Sequence, residues 1–309
     1  MKKPVYCYIL LCENKAFYTG WTKNIQFRFH QHNIGNGSKY TRLNRPIKIV
    51  YWENCKDKSA AMKREFEIKK LTRKQKELMV HGWNSKNNLP KEFSNYEYLS
   101  IAPGRVNLLG EHIDYNGGSV LPAAIDRFVY LGAKQRNDLV FKISALDFNE
   151  TILFDEEGIK LKRDLSGNSL PDWALYPAGV IWAALQKNYS VSGFEGMFTS
   201  TIPIGAGLSS SAAVEVAFAA LLRELCSWDI DNLELARLCQ LAENYYIGVN
   251  CGLMDQFAST NGIENCVLLF NTNTSEWNPI ELPDSVSIVI TNSKIPRKLS
   301  NSAYNQRRE

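Results

Sequence analysis

Two hydrophobic periods alternate along this chain. Val5 to Leu11 (VYCYILL) is a run of bulky, β-favouring residues, and Ala16 to Thr22 (AFYTGWT) is a second one after a short polar turn at Glu13-Asn14-Lys15. Together they predict a β-hairpin. Asn24 stands where a helix over residues 24–32 needs its cap, and Ser59 to Leu71 (SAAMKREFEIKKL) predicts a second helix. Thr72 to Gln75 has the form of a capping box and opens a third helix, which Gly82 is placed to stop. A polar stretch rich in Asn, Ser and Lys then runs from His81 to Asn95. Farther on, PIGAGLSSSAA (Pro203 to Ala213) leads into the apolar helix-like run VEVAFAALL, and Asn232 to Glu243 places Leu and Ala at helical spacing. Strands and helices in this order predict an α/β (α+β) chain.

Charge divides the chain at the same place. Residues 1–90 carry 19 Lys and Arg against 6 Asp and Glu, and residues 91–309 carry 17 against 26. The net +4 of the whole chain hides this asymmetry. A basic part joined to an acidic one points to a polyanion surface on the basic part. The expected organisation is a first domain over residues 1–82, a linker over 83–95 and a second domain over 96–309. The 7 cysteines are odd in number and scattered without a CxxC pair, which argues against a structural zinc and for free thiols in a reducing compartment. The polar Glu13-Asn14-Lys15 comes too soon for a signal-peptide core, and no apolar run reaches spanning length, so a cytoplasmic location without a membrane segment is expected.

The densest chemistry lies in APGRVNLLGEHIDYNGGSVLP, from Ala102 to Pro122, where Arg105, Glu111, His112 and Asp114 crowd between glycines. Carboxylates accept and Arg donates, a combination suited to reading a hydroxyl-rich ligand. GRVNLLGEHIDYNGG resembles the sugar-binding signature of galactokinases, a branch of the GHMP small-molecule kinases. In the second segment, Gly205 and Gly207 allow close backbone approach, and Ser209, Ser210 and Ser211 open a helix whose N-terminus suits a phosphate. No Walker Lys follows, so the ordinary P-loop pattern is not met, and the segment resembles the GHMP phosphate loop instead. A third segment, AENYYIGVNCGLMDQFAS (Ala242 to Ser259), is similar to the family's stretch with a metal-binding Glu, here Glu243, and a catalytic Asp, here Asp255. On its own, Glu243 reads as a solvated helix face.

That resemblance implies transfer of the γ-phosphate of ATP to the anomeric hydroxyl of galactose. Asp255 would orient the hydroxyl or take its proton, and Arg105 would sit beside Asp255. Glu111, His112, Asp114, Gly252 and Tyr304 would grip the sugar. Gly205, Gly207, Ser209, Ser210 and Ser211 would meet ATP, Ser211 and Glu243 would hold Mg²⁺, and Trp173 would belong to the adenine pocket. An aromatic pair such as Trp173 and Tyr176 on a helix fits a core equally well. The match stops with NSKIPRKLSNSAYNQRRE at Glu309, whereas galactokinases continue into a second half with a further Gly-rich motif. The expectation is an incomplete kinase layer with an uncovered apolar face, and two joined reading frames as one origin of the chain.

The basic part carries a second resemblance. Tyr6-Cys7-Tyr8 and Tyr18-Thr19-Gly20 stand where GIY-YIG nuclease domains of the small single-domain type have their name-giving triplets. Arg28, Glu65 and the segment HNIGNGSKYTR (His32 to Arg42) follow the same pattern. The resemblance implies DNA cleavage in which Glu65 holds one Mg²⁺, Tyr8 or Tyr18 handles the attacking water and Arg28 offsets phosphate charge. The Lys/Arg run from Lys69 to Lys76 would track the DNA backbone or be only a solvated helix face. A Mg²⁺-dependent endonuclease attached to an inert kinase remnant is the competing reading of the whole.

Overall fold

The computed structural model describes residues 4–84, 93, 96–283 and 285–291. They fall into two compact units, one of residues up to Pro90 together with Ile263–Asn265, and the other built from Lys91–Gly262 and from Cys266 onward.

In the first unit, strand β1 (Val5–Cys12) lies between β2 (Phe17–Thr22) and β3 (Pro46–Cys55), antiparallel to both. The central place explains the unbroken apolar run of β1: seven of its eight residues are buried, with Leu11 the exception. Helix α1 (Ile25–Asn33) starts where Asn24 accepts a hydrogen bond from the Phe27 amide at 2.9 Å. The short α2 (Lys39–Leu43) is opened by a capping box between Ser38 and Thr41. Asp57 caps α3 (Lys58–Lys70), and its Ile68 packs with Cys7, Ile9 and Tyr51 in the core of this unit. In α4 (Arg73–Asn84), the Thr72 amide donates to Gln75 Oε1 at 2.8 Å and the Gln75 amide returns to Thr72 Oγ1 at 3.3 Å, the expected box. The helix does not stop at Gly82 but runs to Asn84. A helical glycine costs only about 1 kcal/mol relative to Ala, too little to end a helix by itself.

The second unit is built on β4 (Tyr98–Asn107), β5 (Ser119–Val120), β6 (Pro122–Gln135), β7 (Phe141–Ala145) and β8 (Glu150–Phe154), followed by α5 (Glu156–Leu161) and α6 (Leu175–Gln186). Then come β9 (Phe194–Ser200), α7 (Ser210–Leu225), α8 (Asn232–Leu241), a π-helical turn Ala242–Ile247, α9 (Met254–Asn261), β10 (Cys266–Asn271) and β11 (Trp277–Glu281). The main sheet has the order β4-β6-β9-β7-β8, with only β7 and β9 parallel, and a smaller sheet has the order β11-β10-β5. Val129, Leu131, Phe141, Ile143, Phe194 and Phe198 of the main sheet share one core with Phe218 of α7 and Ile181 of α6. Around α9, Phe257 stacks on Phe270 at 3.8 Å between ring centres. Within the stretch read as a linker, Phe93 is fully buried and meets Tyr96 ring to ring at 6.2 Å. One aromatic in a polar run leaves no periodic signal. On β4, Leu99 and Ile101 alternate with buried Ser100 and Ala102 and face outward.

Candidate functional site

Chain segments far apart in sequence meet around Arg105. Gly104 allows the approach: a Cβ there would lie 2.7 Å from the Leu208 carbonyl oxygen. The Arg105 amide donates to that same oxygen at 3.1 Å, and its Nη1 donates to the Gly207 carbonyl at 2.9 Å. Nε and Nη2 of Arg105 then donate to Oδ1 and Oδ2 of Asp255, both at 2.7 Å. This is the two-pronged geometry in which Arg outperforms Lys. The Ser209 hydroxyl donates to Oδ2 as well. Gly205, Gly207 and Ser209 all have positive φ, at 70°, 75° and 55°, so the loop turns sharply before Ser210 begins α7. Arg105, the Gly/Ser loop and Asp255 thus form one hydrogen-bonded constellation.

The acidic loop stands beside it. Asp114 packs on Gly252, where a Cβ would come within 2.2 Å of Asp114 Oδ2, so only glycine fits. Burial, with the Asp255 carboxylate adding to it, pushes Asp114 up to about 6. His112 has φ 61° and its Nδ1 lies 2.6 Å from the Tyr115 hydroxyl, while Glu111 Oε1 accepts from Asn107 Nδ2 at 3.1 Å. Thr272 ties down the loop's end, exchanging hydrogen bonds with the backbone of Gly118. Tyr304 lies outside the described residues.

Behind Asp255 is a cluster that the motifs alone do not pick out. Gln256 Nε2 donates to Glu243 Oε2 at 2.6 Å and to Glu215 Oε2 at 3.1 Å. The Cys251 thiol donates to the same Glu243 Oε2 at 3.2 Å, and Ser211 hydrogen-bonds the Glu243 side chain. Glu243 sits in the π-helical turn at only 4 % exposure, not on a solvated face. Short π-helical segments recur at functional sites. Burial pushes Glu243 up to about 7, and burial with Glu243 as neighbour pushes Glu215 well up too. Glu215 Oε1 and Gln256 Oε1 are buried with no partner. The sequence held one clue: Glu215 is the single charge in the run VEVAFAALL.

This donor set fits Mg²⁺. Two adjacent buried carboxylates, one with an oxygen that has no partner among the described residues, stand together, and the Ser211 hydroxyl borders Glu243. Mg²⁺ commonly takes one or two protein oxygens and fills its shell with phosphates and water. No group of three or more His, Cys, Asp or Glu is placed to hold a metal among the described residues. Trp173 stands apart from this constellation. It is buried, donates from Nε1 to Glu150 Oε2 at 2.6 Å and stacks on Phe148 at 6.3 Å.

The first unit has its own cluster. The Tyr8 hydroxyl lies 2.9 Å from His32 Nε2, and His32 Nδ1 lies 2.7 Å from Thr41 Oγ1. Tyr18 packs on the His32 ring at 5.0 Å, and Arg28 hydrogen-bonds Tyr8. Burial, then Tyr18, push the Tyr8 phenol up. Burial, with Arg28 beside it, pushes His32 down to about 4. His32 and Thr41 lie within the HNIGNGSKYTR segment, but their pairing across nine residues has no sequence signal. Glu65 Oε1 accepts from Lys69 Nζ at 2.6 Å, an i,i+4 ion pair on α3.

Residues 4–78 match the GIY-YIG catalytic domain, residues 89–135 the galactokinase galactose-binding signature and residues 176–262 the GHMP kinases N terminal domain. The chain is 43 % identical over 230 residues to the galactokinase of Fusobacterium nucleatum, covering 72 % of this chain and 58 % of the relative. It is 41 % identical over 216 residues to that of Clostridium beijerinckii, covering 69 % and 54 %. Among solved structures it resembles Lactococcus lactis galactokinase complexed with galactose, with a TM-score of 0.60 and 33 % identity over 70 % of this chain and 55 % of that one. Methanococcus jannaschii mevalonate kinase shares the fold at a TM-score of 0.50 and 22 % identity, covering 62 % and 57 %. The chain therefore spans little more than half the length of these relatives.

Proposed function

We propose that this chain, whose second unit carries the galactose-binding signature and N-terminal domain of galactokinases and whose first unit is a GIY-YIG domain, phosphorylates galactose at its anomeric hydroxyl with ATP. The observation that carries this reading is the bidentate Arg105–Asp255 pair within the Gly/Ser loop. Asp255 accepts the hydrogen bond of the attacking hydroxyl and draws its proton. Arg105 orients Asp255 through its two hydrogen bonds and balances the charge that moves with the phosphoryl group. The acidic loop with Glu111, His112 and Asp114 grips the sugar hydroxyls, with Gly252 as the floor that lets Asp114 approach and Tyr304 as a further sugar contact. Gly205, Gly207 and Ser210 wrap the phosphates. Glu243 and Ser211 hold Mg²⁺, which neutralises phosphate charge when bound. Trp173 takes part in the adenine site through the packing of its ring with Phe148.

In the first unit, Tyr8 or Tyr18 positions the water for cleavage of a DNA phosphodiester, Arg28 offsets its charge and Glu65 holds the Mg²⁺. The basic balance of residues 1–90 supports a polyanionic partner. The two-domain division near residues 82–95 and a cytoplasmic setting complete the reading.

The test is transfer of phosphate from ATP to galactose by the full 309-residue chain with Mg²⁺. Asp255→Asn is expected to lower turnover at least ~10²-fold while ATP binding persists. Wild-type turnover by this variant refutes the assignment. No turnover by the folded wild type leaves the endonuclease as the active part, which Mg²⁺-dependent nicking lost in Glu65→Ala identifies.

A further inference from the structure

We propose that Gln256, anchored by Glu215, is a positioning residue that sets Glu243 for its divalent cation and links that cation's site to Asp255. The inference rests on the kinase reading above. Asp255 and Gln256 are consecutive in the first turn of α9, where neighbouring side chains diverge by about 100°. Asp255 accordingly turns to Arg105 and Ser209, while Gln256 turns to Glu215 and Glu243. One rigid turn therefore carries both the hydroxyl-orienting carboxylate and the donor that holds the metal-binding carboxylate.

The amide is committed to one orientation. Its nitrogen has two N–H donors, and two carboxylate oxygens receive them. Flipping the amide would turn its carbonyl oxygen towards both carboxylates and take from Glu215 Oε2 the donor it has here, which costs the desolvation of that group. Gln256 and the Cys251 thiol both bond Oε2 of Glu243, which leaves Oε1 free of these two donors. Gln256 and Glu215 are wholly buried, so neither can meet a nucleotide or sugar from solvent. Partners that orient a metal ligand from behind typically govern metal affinity by about 10–100-fold.

The full chain is titrated with Mg²⁺ in the presence of a non-hydrolysable ATP analogue, and galactose affinity is measured separately without metal. Gln256→Met is expected to raise the half-saturating Mg²⁺ concentration for nucleotide binding about tenfold or more, with the galactose dissociation constant within about twofold of wild type. A role limited to packing would lower thermal stability without moving the Mg²⁺ midpoint, and that result overturns the proposal. Glu215→Ala, which removes the anchor, is the second variant and is expected to move the midpoint in the same direction. An unchanged midpoint in a folded Glu215→Ala protein also overturns the proposal. Wild-type galactose binding with nucleotide binding indifferent to Mg²⁺ overturns it while sparing the sugar site. Absence of both galactose and nucleotide binding in the wild type defeats the kinase reading and this proposal with it.

Discussion

Each unit buries a polar cluster, and the two solve the same problem in opposite ways. Tyr8, His32 and Thr41 are groups that can all be neutral, and the chain from phenol through imidazole to hydroxyl gives each polar atom a partner. Glu215, Gln256 and Glu243 set two carboxylates against one amide and leave two oxygens unpartnered. The first cluster is complete as it stands. The second carries two carboxylates whose pKa values burial pushes up. A buried polar group that satisfies its neighbours stiffens a fold, whereas one that lacks its counter-charge marks a place for a ligand.

The largest expected effect breaks the first cluster. His32→Ala leaves Tyr8 and Thr41 without their partner and opens a cavity, and should lower unfolding stability by about 2–4 kcal/mol in urea titration of the full chain. A loss below half of that would show the triad to be incidental.

The next prediction sets the two units against each other by pH. The unfolded His32 binds more protons than the folded one between about 4 and its ordinary 6.5, so stability from this group rises with pH across that window. Glu243 and Glu215 behave oppositely. Their folded forms hold protons more tightly than the unfolded chain, so stability falls as pH rises from about 4.5 to about 7. Asp114, pushed up to about 6, adds to the fall. Hydrogen exchange measured peptide by peptide should show protection of β1 rising with pH while protection of α7 falls. Slopes of the same sign would break the comparison. Glu215→Gln removes one of the titrating protons and should flatten the α7 slope, by at most about 1.4 kcal/mol for each step of one in pH. Added Mg²⁺ with nucleotide should flatten it without mutation.

The smallest effect concerns Lys69→Ala. Its pairing with Glu65 is an exposed helical i,i+4 contact worth no more than about 0.5 kcal/mol, so stability in the same urea titration should barely change.

Much of this arrangement was legible in the chain itself. The hairpin of β1 and β2, the Asn24 cap and the Thr72–Gln75 box are local, and each joins residues close in sequence. Arg105, the Gly/Ser loop and Asp255 were legible as motifs because unusual residue types crowd there. The extension of α4 past Gly82 and the burial of Phe93 were not, because a single residue's preference is small beside tertiary packing. The ring packing of Trp173 with Phe148 and Phe198 was likewise not legible, since a lone aromatic does not announce its partners.

By itself the sequence determined the two-part charge division, the first hairpin and several helices, and the motifs whose resemblance implies sugar, phosphate and metal binding. The first three follow from composition, period and short-range hydrogen bonding. Only the tertiary structure decided that Gln256 stands between Glu215 and Glu243, that Glu243 is buried, and that His32 joins Tyr8 to Thr41. These contacts depend on chain segments brought together by packing, and at that range charge and desolvation, not residue type, decide what a side chain does.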